Sequence, residues 1–403
     1  MKQEEIWLVA VTAGRWQRHG ICEARAAGLK VLAIDADPNA EGFAGADQVL
    51  NINLTDHEEI IKAIRGLDKN IRGAVSFVSE VGMALAARIR EEFNLPGPRS
   101  ELCQRLLDKS IQREIWAEKG VSGPKWEVFR EAEGALAAIS SFGFPLIIKP
   151  TDSSGSRGVT KLESAEDDLP SAVSRAFQFS KSGKVILETY MDGVEFTVEV
   201  FAADGDVHVL AVTEKKKVEG TRGTVAYELA TPERPREVVA RIAEAVVAAF
   251  HALDYTQGPG HAEAILKKDG SVGLIEVAGR GGGFMVFDGL VPAVSGVNIA
   301  RLSALQAAGL PIGVITNMEK AAVLRFFPSK PGVLTRISGF EAANLLDGVE
   351  AGPFVQVGDQ FQHAAVDGDR LGYILSCAAT PRQAQNLADK AERLINFEIE
   401  ELL

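Results

Sequence analysis

The sequence predicts a mixed α/β and α+β protein, with a parallel α/β block followed by antiparallel structure. In the first hundred residues, apolar runs alternate with helical patterns, as in IWLVAV (6–11), a helix to about Ala27, and KVLAIDAD (30–37). This βαβ alternation implies a parallel sheet covered on both faces. Later, VILETYMDGVEFTVEVFAADGDVHVLAVTEKKK (185–217) is typical of antiparallel strands, with turns predicted at Asp192-Gly193 and near Asp204-Gly205.

Length and composition narrow the class of protein. A chain of 403 residues exceeds one typical core, so two or three subdomains are expected. A net charge of -12 argues against nucleic-acid and anionic-membrane partners. Three scattered cysteines fit a reducing compartment. Because neither a signal peptide nor an apolar run of 18 residues is evident, a cytoplasmic location is expected.

The remaining elements of the N-terminal block continue the alternation. Residues 57–65 and 82–93 read as helices, and GAVSFVSE (73–80) reads as a strand between them. Ligands of such sheets gather at the carboxyl ends of the strands. The first loop lacks G-x-G-x-x-G, so no dinucleotide fingerprint is present. A helical stretch from Ser100 to about Gly120 follows.

A strand and a small polar loop come next, FPLIIKP (144–150) and DSSGSRGV (152–159). Such a loop can aim several backbone N–H groups at a phosphate, although a mobile surface loop has the same composition. Lys149 ends the apolar strand, where an unpaired buried lysine would be costly. A phosphate on the adjacent loop would supply a partner; a lysine that reaches solvent is the alternative.

Two glutamates face each other in a predicted hairpin, GPGHAEAILKKDGSVGLIEVAGRGGG (258–283). Asp269-Gly270 is a strong signal for a two-residue turn, which would pair residues whose numbers sum to 539. Glu263 and Glu276 meet that condition and should lie directly opposite on one face. Because like charges repel there, the pair indicates a positive ligand between them. Two solvated glutamates on an outer face are the alternative.

Four segments in this order resemble the ATP-grasp superfamily, and the resemblance covers nearly the whole chain. They are DKSIQRE (108–114), GFPLIIKPTDSSGSRGV (143–159), VILETYMDGVEFTVEV (185–200) and the hairpin 260–283. The resemblance implies an ATP-grasp fold with an N-terminal parallel α/β domain, two α+β ATP-binding lobes and a C-terminal α+β segment. Its expected parts are 1–98 for the N-terminal domain, 99–320 for the core (small lobe about 120–190, large lobe about 190–320) and 321–403 for the C-terminal part.

The resemblance also implies ATP and Mg²⁺ as cofactors, with Mn²⁺ as an alternative metal. Lys109 and Lys149 would contact the phosphates, Glu263 and Glu276 would hold the metal, and Arg280, with Lys149, would be catalytic. A mobile loop would close over the phosphates, and separate residues would read the base and the ribose. These residues would be Ser153, Ser154, Gly155, Ser156, Gly158 and Val159 in the loop, Glu188, Thr189 and Tyr190 at adenine, and Glu195 at the ribose.

Within the superfamily, GRGGG (279–283) and AAVLRFFPSKPGVL (321–334) most resemble amino-acid ligases of the dipeptide-forming kind. The candidate substrate residues are Gly282 and Gly283 in this glycine run, His261 beside the same cleft, and Glu80, which ends a predicted strand and could bind an amino group. Helix capping by Glu80 and a structural role for His261 remain alternatives. Ala278 occupies a position where many members have a metal-binding asparagine, so the number of metal ions stays open.

The sequence therefore predicts an ATP-dependent carboxylate–amine ligase that forms an amide through an acylphosphate and releases ADP and phosphate. Its expected partners are a small carboxylic acid and an amine, amino acids in particular, with a homodimer left open. The alternatives are a carboxylase acting through carboxyphosphate, a small-molecule kinase, and a catalytically silent nucleotide-binding module. The two metal glutamates and Arg280 disfavour the silent module.

Overall fold

A computed structural model describes residues 5–218, 225–364 and 366–401. The strands are β1 (Trp7–Val11), β2 (Lys30–Asp35), β3 (Gln48–Asn51), β4 (Ile71–Val75), β5 (Trp126–Phe129), β6 (Leu146–Pro150), β7 (Thr160–Leu162), β8 (Val185–Thr189), β9 (Gly193–Ala203), β10 (Asp206–Lys217), β11 (Ala226–Ala230), β12 (Gly258–Lys267), β13 (Val272–Ala278), β14 (Ala321–Pro328), β15 (Gly332–Ser338), β16 (Val349–Pro353), β17 (Gln360–Phe361), β18 (Arg370–Ala378) and β19 (Asn396–Glu400). The α-helices are α1 (Arg15–Ala26), α2 (His57–Gly66), α3 (Glu80–Glu92), α4 (Ser100–Leu107), α5 (Lys109–Lys119), α6 (Ala132–Phe142), α7 (Leu169–Gln178), α8 (Arg236–Ala252), α9 (Val291–Ser295), α10 (Ile299–Ala307), α11 (Phe340–Ala343) and α12 (Pro381–Glu392). Short 3₁₀ turns lie at Glu41–Gly45 and Asp367–Asp369, and a π-helical turn lies at Val286–Leu290.

The N-terminal block is a four-stranded parallel sheet with the strand order β3-β2-β1-β4. All five residues of β1 are buried, as its unbroken apolar run predicts. The strand predicted over 73–80 ends earlier, at Val75, and α3 begins at Glu80. The sequence analysis missed β3, which is short and buries none of its residues fully, so it shows no apolar run.

The helical stretch predicted from Ser100 to about Gly120 is two helices. Asp108 lies between them in an extended conformation, and its side chain accepts a hydrogen bond from the Ser110 N–H at the start of α5. This N-cap turns the chain. Helix α5 ends at Lys119, and the next residue, Gly120, adopts the left-handed conformation typical of a helix C-terminus. The break determines which side chains α5 presents to the rest of the molecule.

Two antiparallel sheets follow. One has the order β5-β8-β6-β7 and packs against α6 and α7; the other has eight strands in the order β13-β12-β9-β10-β11-β14-β18-β16. The turn predicted at Asp204-Gly205 is confirmed, because it joins β9 to β10 with Ala203 opposite Asp206. The other prediction was wrong: Asp192-Gly193 does not close a hairpin, since β8 and β9 lie in different sheets.

Over residues 195–200 of β9, the eight-stranded sheet carries apolar side chains on one face and polar side chains on the other. Along β9, Phe196, Val198 and Val200 belong to a buried cluster with Phe250 of α8. Because side chains alternate along a strand, Glu195, Thr197 and Glu199 point to the opposite face. A three-stranded sheet, β17-β15-β19, completes the C-terminal part. Among the described residues, no helix combines the length and apolarity needed to span a membrane.

Candidate active site

Glu263 and Glu276 lie opposite each other on β12 and β13, as the hairpin predicts. The turn itself differs from the prediction. Lys267 and Ser271 close a three-residue loop of Lys268, Asp269 and Gly270, with Gly270 at a φ of 83°. Next to this loop, opposed residues have numbers that sum to 538, as in Leu266 opposite Val272.

A β-bulge restores the predicted pairing. Ala264 lies opposite Leu274 and Glu263 lies opposite Glu276, so Ile275 is the extra residue on β13. A bulge shifts the register by one position and re-aims the side chains beyond it. Without it, Glu263 would face Ile275, and Glu276 would not share a face with Glu263. The carboxylate pair therefore depends on a feature that the turn signal did not indicate.

Each of these glutamates has a lysine partner. Lys215 Nζ lies 2.5 Å from Glu263 and 2.8 Å from Glu195, and Lys109 Nζ lies 3.0 Å from Glu276. Burial alone would raise the pKa of Glu263, but the charge of Lys215 and the hydrogen bond from His261 hold that pKa well below its usual range. Burial alone would lower the pKa of Lys109, and Glu276 and Glu80 raise it instead. Lysines thus offset the like-charge repulsion that the sequence predicted.

Lys149 and Glu188 form a buried ion pair on the four-stranded antiparallel sheet, with Nζ and Oε2 separated by 2.8 Å. Arg113 of α5 also binds Glu188, at 2.8 Å from Nη2. Burial, aided by the nearby charge of Arg113, lowers the pKa of Lys149 although Glu188 opposes this. Burial alone would raise the pKa of Glu188, and the two cations lower it. Both side chains predicted here are therefore buried and paired with each other.

The loop predicted over the phosphates lies beside Lys109. The Lys109 ammonium donates to the Ser153 carbonyl at 2.7 Å, so one side chain touches both the loop and Glu276. Arg157 is exposed and bonds back to the Ser154 carbonyl at 3.1 Å. Gly155 and Gly158 have positive φ, and a Cβ on Gly158 would lie 2.9 Å from Pro150. The loop residues Ser156 and Val159 continue the same turn to β7.

The residues predicted at adenine and ribose lie where β8 passes into β9. The Thr189 N–H donates to the Lys125 carbonyl, and the Tyr190 N–H donates to the Pro145 carbonyl. The Lys161 ammonium lies 3.9 Å from the centre of the Tyr190 ring. Glu195 binds Lys215, and it also pairs with Lys217. These residues connect the four-stranded sheet to the carboxylates of the eight-stranded sheet.

Arg280 and Glu80 bind each other at 2.6 Å, at the end of β13 and the start of α3. Burial alone would lower the pKa of Arg280 and raise that of Glu80, and their mutual attraction reverses both shifts. Ser79, rather than Glu80, occupies the N-cap position of α3, so Glu80 does not cap that helix with its side chain. The ion pair joins the parallel block to the carboxylate strand.

His261 lies next to the same glutamates. Its Nδ1 is 2.5 Å from Glu199, whose other oxygen accepts a hydrogen bond from the Gly282 N–H at 3.2 Å. Burial alone would lower the pKa of His261, but Glu199 raises it to about 9. No heavy atom lies within 4 Å of a Cβ built on Gly283, whereas one on Gly282 would meet Val286. Ala278 lies opposite His261 and offers no ligand.

Sequence reasoning missed Lys215, Glu199, Gln112 and Arg113. Lys215 lies in the run EKKK, which reads as a solvated charge cluster, yet its side chain is only 14% exposed. Lys215 lies two residues after Thr213 on β10, so the two side chains point to the same face of the strand, and Thr213 is buried there. Glu199 lies inside an apolar strand, where a buried acid is unusual. Gln112 and Arg113 lie in DKSIQRE, and their burial appears only once α5 is packed.

Two segments of the chain match models of known protein families. Residues 142–288 match the ATP-grasp domain, and residues 325–400 match the L-amino acid ligase C-terminal domain 2. D-alanine–D-alanine ligase of Clostridium botulinum is 27% identical over 63% of this chain and 83% of the relative.

Two solved structures share the fold. The L-amino acid ligase from Bacillus licheniformis superposes with a TM-score of 0.83 at 22% identity over all of both chains. N5-carboxyaminoimidazole ribonucleotide synthetase from Thermotoga maritima gives 0.75 at 18% identity over 99% of this chain and all of its own. Residues 142–288 therefore form an ATP-grasp domain, residues 325–400 form an L-amino acid ligase C-terminal domain, and the chain as a whole has the ATP-grasp fold.

Proposed function

We propose that the protein is an ATP-dependent ligase that joins a carboxylic acid to an amine through an acylphosphate. The observation that carries this proposal is the opposed pair Glu263 and Glu276, matched by buried lysines beside a glycine- and serine-rich loop. A nucleoside triphosphate with its divalent cation would supply phosphates to contact the lysines and a metal ion to contact the glutamates. The site's charges therefore complement those of a metal–ATP complex.

The two glutamates fit Mg²⁺, with Mn²⁺ as the alternative. Mg²⁺ takes oxygen ligands and usually binds one or two carboxylates together with substrate phosphates. Within the described residues no group of three or more acidic, histidine or cysteine side chains forms a metal cluster, so phosphate and water would complete the shell. When bound, the metal would neutralise charge on the transferred phosphoryl group. Ala278 leaves any second ion one ligand fewer.

The chain's own residues would hold the nucleotide at both ends. We assign Lys109 and Lys149 to the phosphates and Glu195 to the ribose. Glu188 and the Thr189–Tyr190 backbone would contact adenine. The loop residues Ser153, Ser154, Gly155, Ser156, Gly158 and Val159 would close over the phosphates and exclude water from the acylphosphate.

Arg280 would stabilise the charge that develops as the phosphoryl group moves to the carboxylate and the amine then attacks the acyl carbon. Positioning and electrostatics would supply the catalysis, because no activated serine or cysteine is needed for this chemistry. We assign Glu80, His261, Gly282 and Gly283 to the substrates. On substrate binding, the Glu80–Arg280 ion pair would separate. Glu80 would bind the amino group, and Arg280 would bind the carboxylate and the phosphate.

Amino acids are the proposed substrates. The match over residues 325–400 to the L-amino acid ligase C-terminal domain supports them over bicarbonate. A carboxylase and a small-molecule kinase are the alternatives, and N5-carboxyaminoimidazole ribonucleotide synthetase from Thermotoga maritima shares the fold. We further propose three domains, residues 1–98, 99–320 and 321–403, and a cytoplasmic location. We also propose a homodimer, which light scattering would test.

The test is ADP and phosphate release from purified protein with Mg-ATP over pairwise mixtures of amino acids, with products identified by mass spectrometry. The ligase proposal expects release that needs both a carboxylate and an amine, and a condensed product. Release with bicarbonate and one acceptor would favour the carboxylase. Release of ADP without free phosphate, with a single hydroxyl compound and a phosphorylated product, would favour the kinase.

A further inference from the structure

β13 is an edge strand of the eight-stranded sheet, and side chains of helix α5 bind backbone groups on its outer edge. An uncovered edge strand leaves backbone N–H and carbonyl groups unpaired. Here the Gln112 side chain binds both groups of Val277: its oxygen accepts from the N–H at 3.2 Å, and its nitrogen donates to the carbonyl at 2.8 Å. Gln112 thus replaces a neighbouring strand at this one residue.

Three successive residues of β13 are bound by one face of α5. Arg113 donates to the carbonyl of Ile275, Lys109 binds the Glu276 carboxylate, and Gln112 binds Val277. Positions 109, 112 and 113 share a helix face because they are three and four residues apart. Gln112 is 1% exposed and Arg113 is 2% exposed, so neither is a surface contact.

Resting on the function proposed above, we infer that Gln112 and Arg113 are positioning residues that hold the bulge at Ile275 and thereby aim Glu276 at the metal. Arg113 donates a hydrogen bond to the carbonyl of the bulge residue Ile275, and Gln112 binds the backbone of Val277, the residue after Glu276. If the bulge relaxed, Glu276 would move out of register with Glu263. Neither side chain touches the reacting atoms.

The two residues differ in one respect that allows them to be separated. Arg113 also binds Glu188 on the four-stranded sheet, so it connects the proposed adenine end of the site to the metal strand. Among the described residues, the Gln112 side chain hydrogen-bonds Val277 of β13 and the Leu106 carbonyl of α4, so its hydrogen bonds do not reach the proposed adenine end. Loss of Gln112 should therefore alter metal use alone, whereas loss of Arg113 should alter both metal and nucleotide use.

The test is Gln112→Met, which keeps the side-chain length and removes both hydrogen bonds to Val277 together with the one to the Leu106 carbonyl. Removing groups that orient a metal ligand typically costs 10–100-fold. We expect the Mn²⁺ concentration for half-maximal ADP release to rise about tenfold or more. The KM for ATP at saturating Mn²⁺ should stay within about twofold. Mn²⁺ binding in the presence of ADP, measured by electron paramagnetic resonance, should weaken in parallel.

Ile115→Val is the matched control on the same helix. Ile115 is partly buried against the apolar cluster that contains Phe250, so loss of one methylene should lower the melting temperature without changing the metal requirement. If Gln112→Met does not fold, Gln112→Glu keeps the acceptor for Val277 N–H and carries the same expectation. An unchanged metal requirement in a folded Gln112 variant overturns the inference. Wild-type protein that shows no metal-dependent ADP release would instead refute the proposed ligase function.

Discussion

Arg280 and Glu80 are 200 residues apart in sequence and form a partly buried ion pair of 2.6 Å in the structure. The two residues were expected to contact different parts of the reaction, the developing charge and a substrate amino group. In the ligand-free arrangement each neutralises the other. Substrate binding would therefore replace one ion pair by two, provided that the carboxylate and the amine arrive at the same place.

Glu80→Gln should raise the KM for the amine substrate about tenfold or more, because a neutral amide cannot neutralise an ammonium group. The KM for ATP should change little. The variant should also lose stability, by less than the ~3–5 kcal/mol cost of leaving a fully buried ion-pair partner alone, because both side chains are partly exposed. Steady-state kinetics and thermal melts measure both. Glu92→Gln, on the same helix and paired at the surface, is the control; equal effects in both variants would remove Glu80 from the site.

Glu276→Gln should destabilise the ligand-free protein by about 1–3 kcal/mol, because the buried Lys109 ammonium loses its charged partner. The sequence alone suggested the opposite sign, a relief of repulsion from Glu263. Mg-ATP at about 100 times its Kd should stabilise wild type by roughly 2.7 kcal/mol, and most of this should vanish in the variant together with activity. Melts with and without Mg-ATP, beside a turnover assay, give the answer. A Glu276→Gln variant that stays active would contradict the metal assignment.

The loop from Ser153 to Gly158 should become protected when nucleotide binds. Its contacts to the rest of the protein include one Lys109 hydrogen bond to Ser153, and Arg157 is exposed. Trypsin should cleave after Arg157 in the ligand-free protein and several times more slowly with Mg-ATP. Cleavage after the exposed Arg130, outside the loop, is the internal reference. Equal rates at Arg157 in both conditions would show that the loop is not a lid.

Asp288 should make stability depend on pH. Burial and the nearby charge of Glu350 raise its pKa from 3.8 to about 7, and its Oδ1 has no hydrogen-bond partner among the described residues. Since the native state binds this proton more tightly than the unfolded chain, stability should fall as pH rises from about 4 to about 7 and then level off.

Asp288→Asn should remove this dependence and be more stable than wild type at pH 8, by up to about 4 kcal/mol at ~1.4 kcal/mol per pKa unit. Below pH 4 the two proteins should converge. Tyr373 also faces this region and donates to Glu350, so Glu350→Gln should reduce the same dependence. Denaturant unfolding across pH measures it, with Asp206→Asn on the exposed start of β10 as control. Parallel curves for wild type and Asp288→Asn would exclude Asp288 as the cause.

Much of the site followed from local patterns. The apolar runs and helical periods predicted the parallel block, because burial on one or both faces imposes those periods directly. The strand end at Lys149, the glycine- and serine-rich loop and the glutamate hairpin are short motifs whose order along the chain predicted the ATP-grasp fold. The structure brings the lysines and glutamates of these motifs together, with Lys109 touching both the loop and Glu276.

The hairpin shows where local reasoning reached a correct pair for an incomplete reason. Asp269-Gly270 does turn the chain, but the loop has three residues and shifts the register by one position. The bulge at Ile275 shifts it back. Turn residues act over a few positions, whereas the bulge is held by Arg113 from a helix 162 residues earlier in the chain. No signal near the hairpin could have indicated that contact.

The sequence by itself determined which residue types meet at the site, since their order and spacing carry the fold. Only the tertiary structure decided how their charges are balanced. Lys215 reaches Glu263 from a strand 48 residues away, and Glu80 reaches Arg280 from the parallel block. A buried charge needs a partner, but any distant cation of suitable reach could supply it. The choice among those partners is made by the packing of the sheets and α5, which no short stretch of sequence encodes.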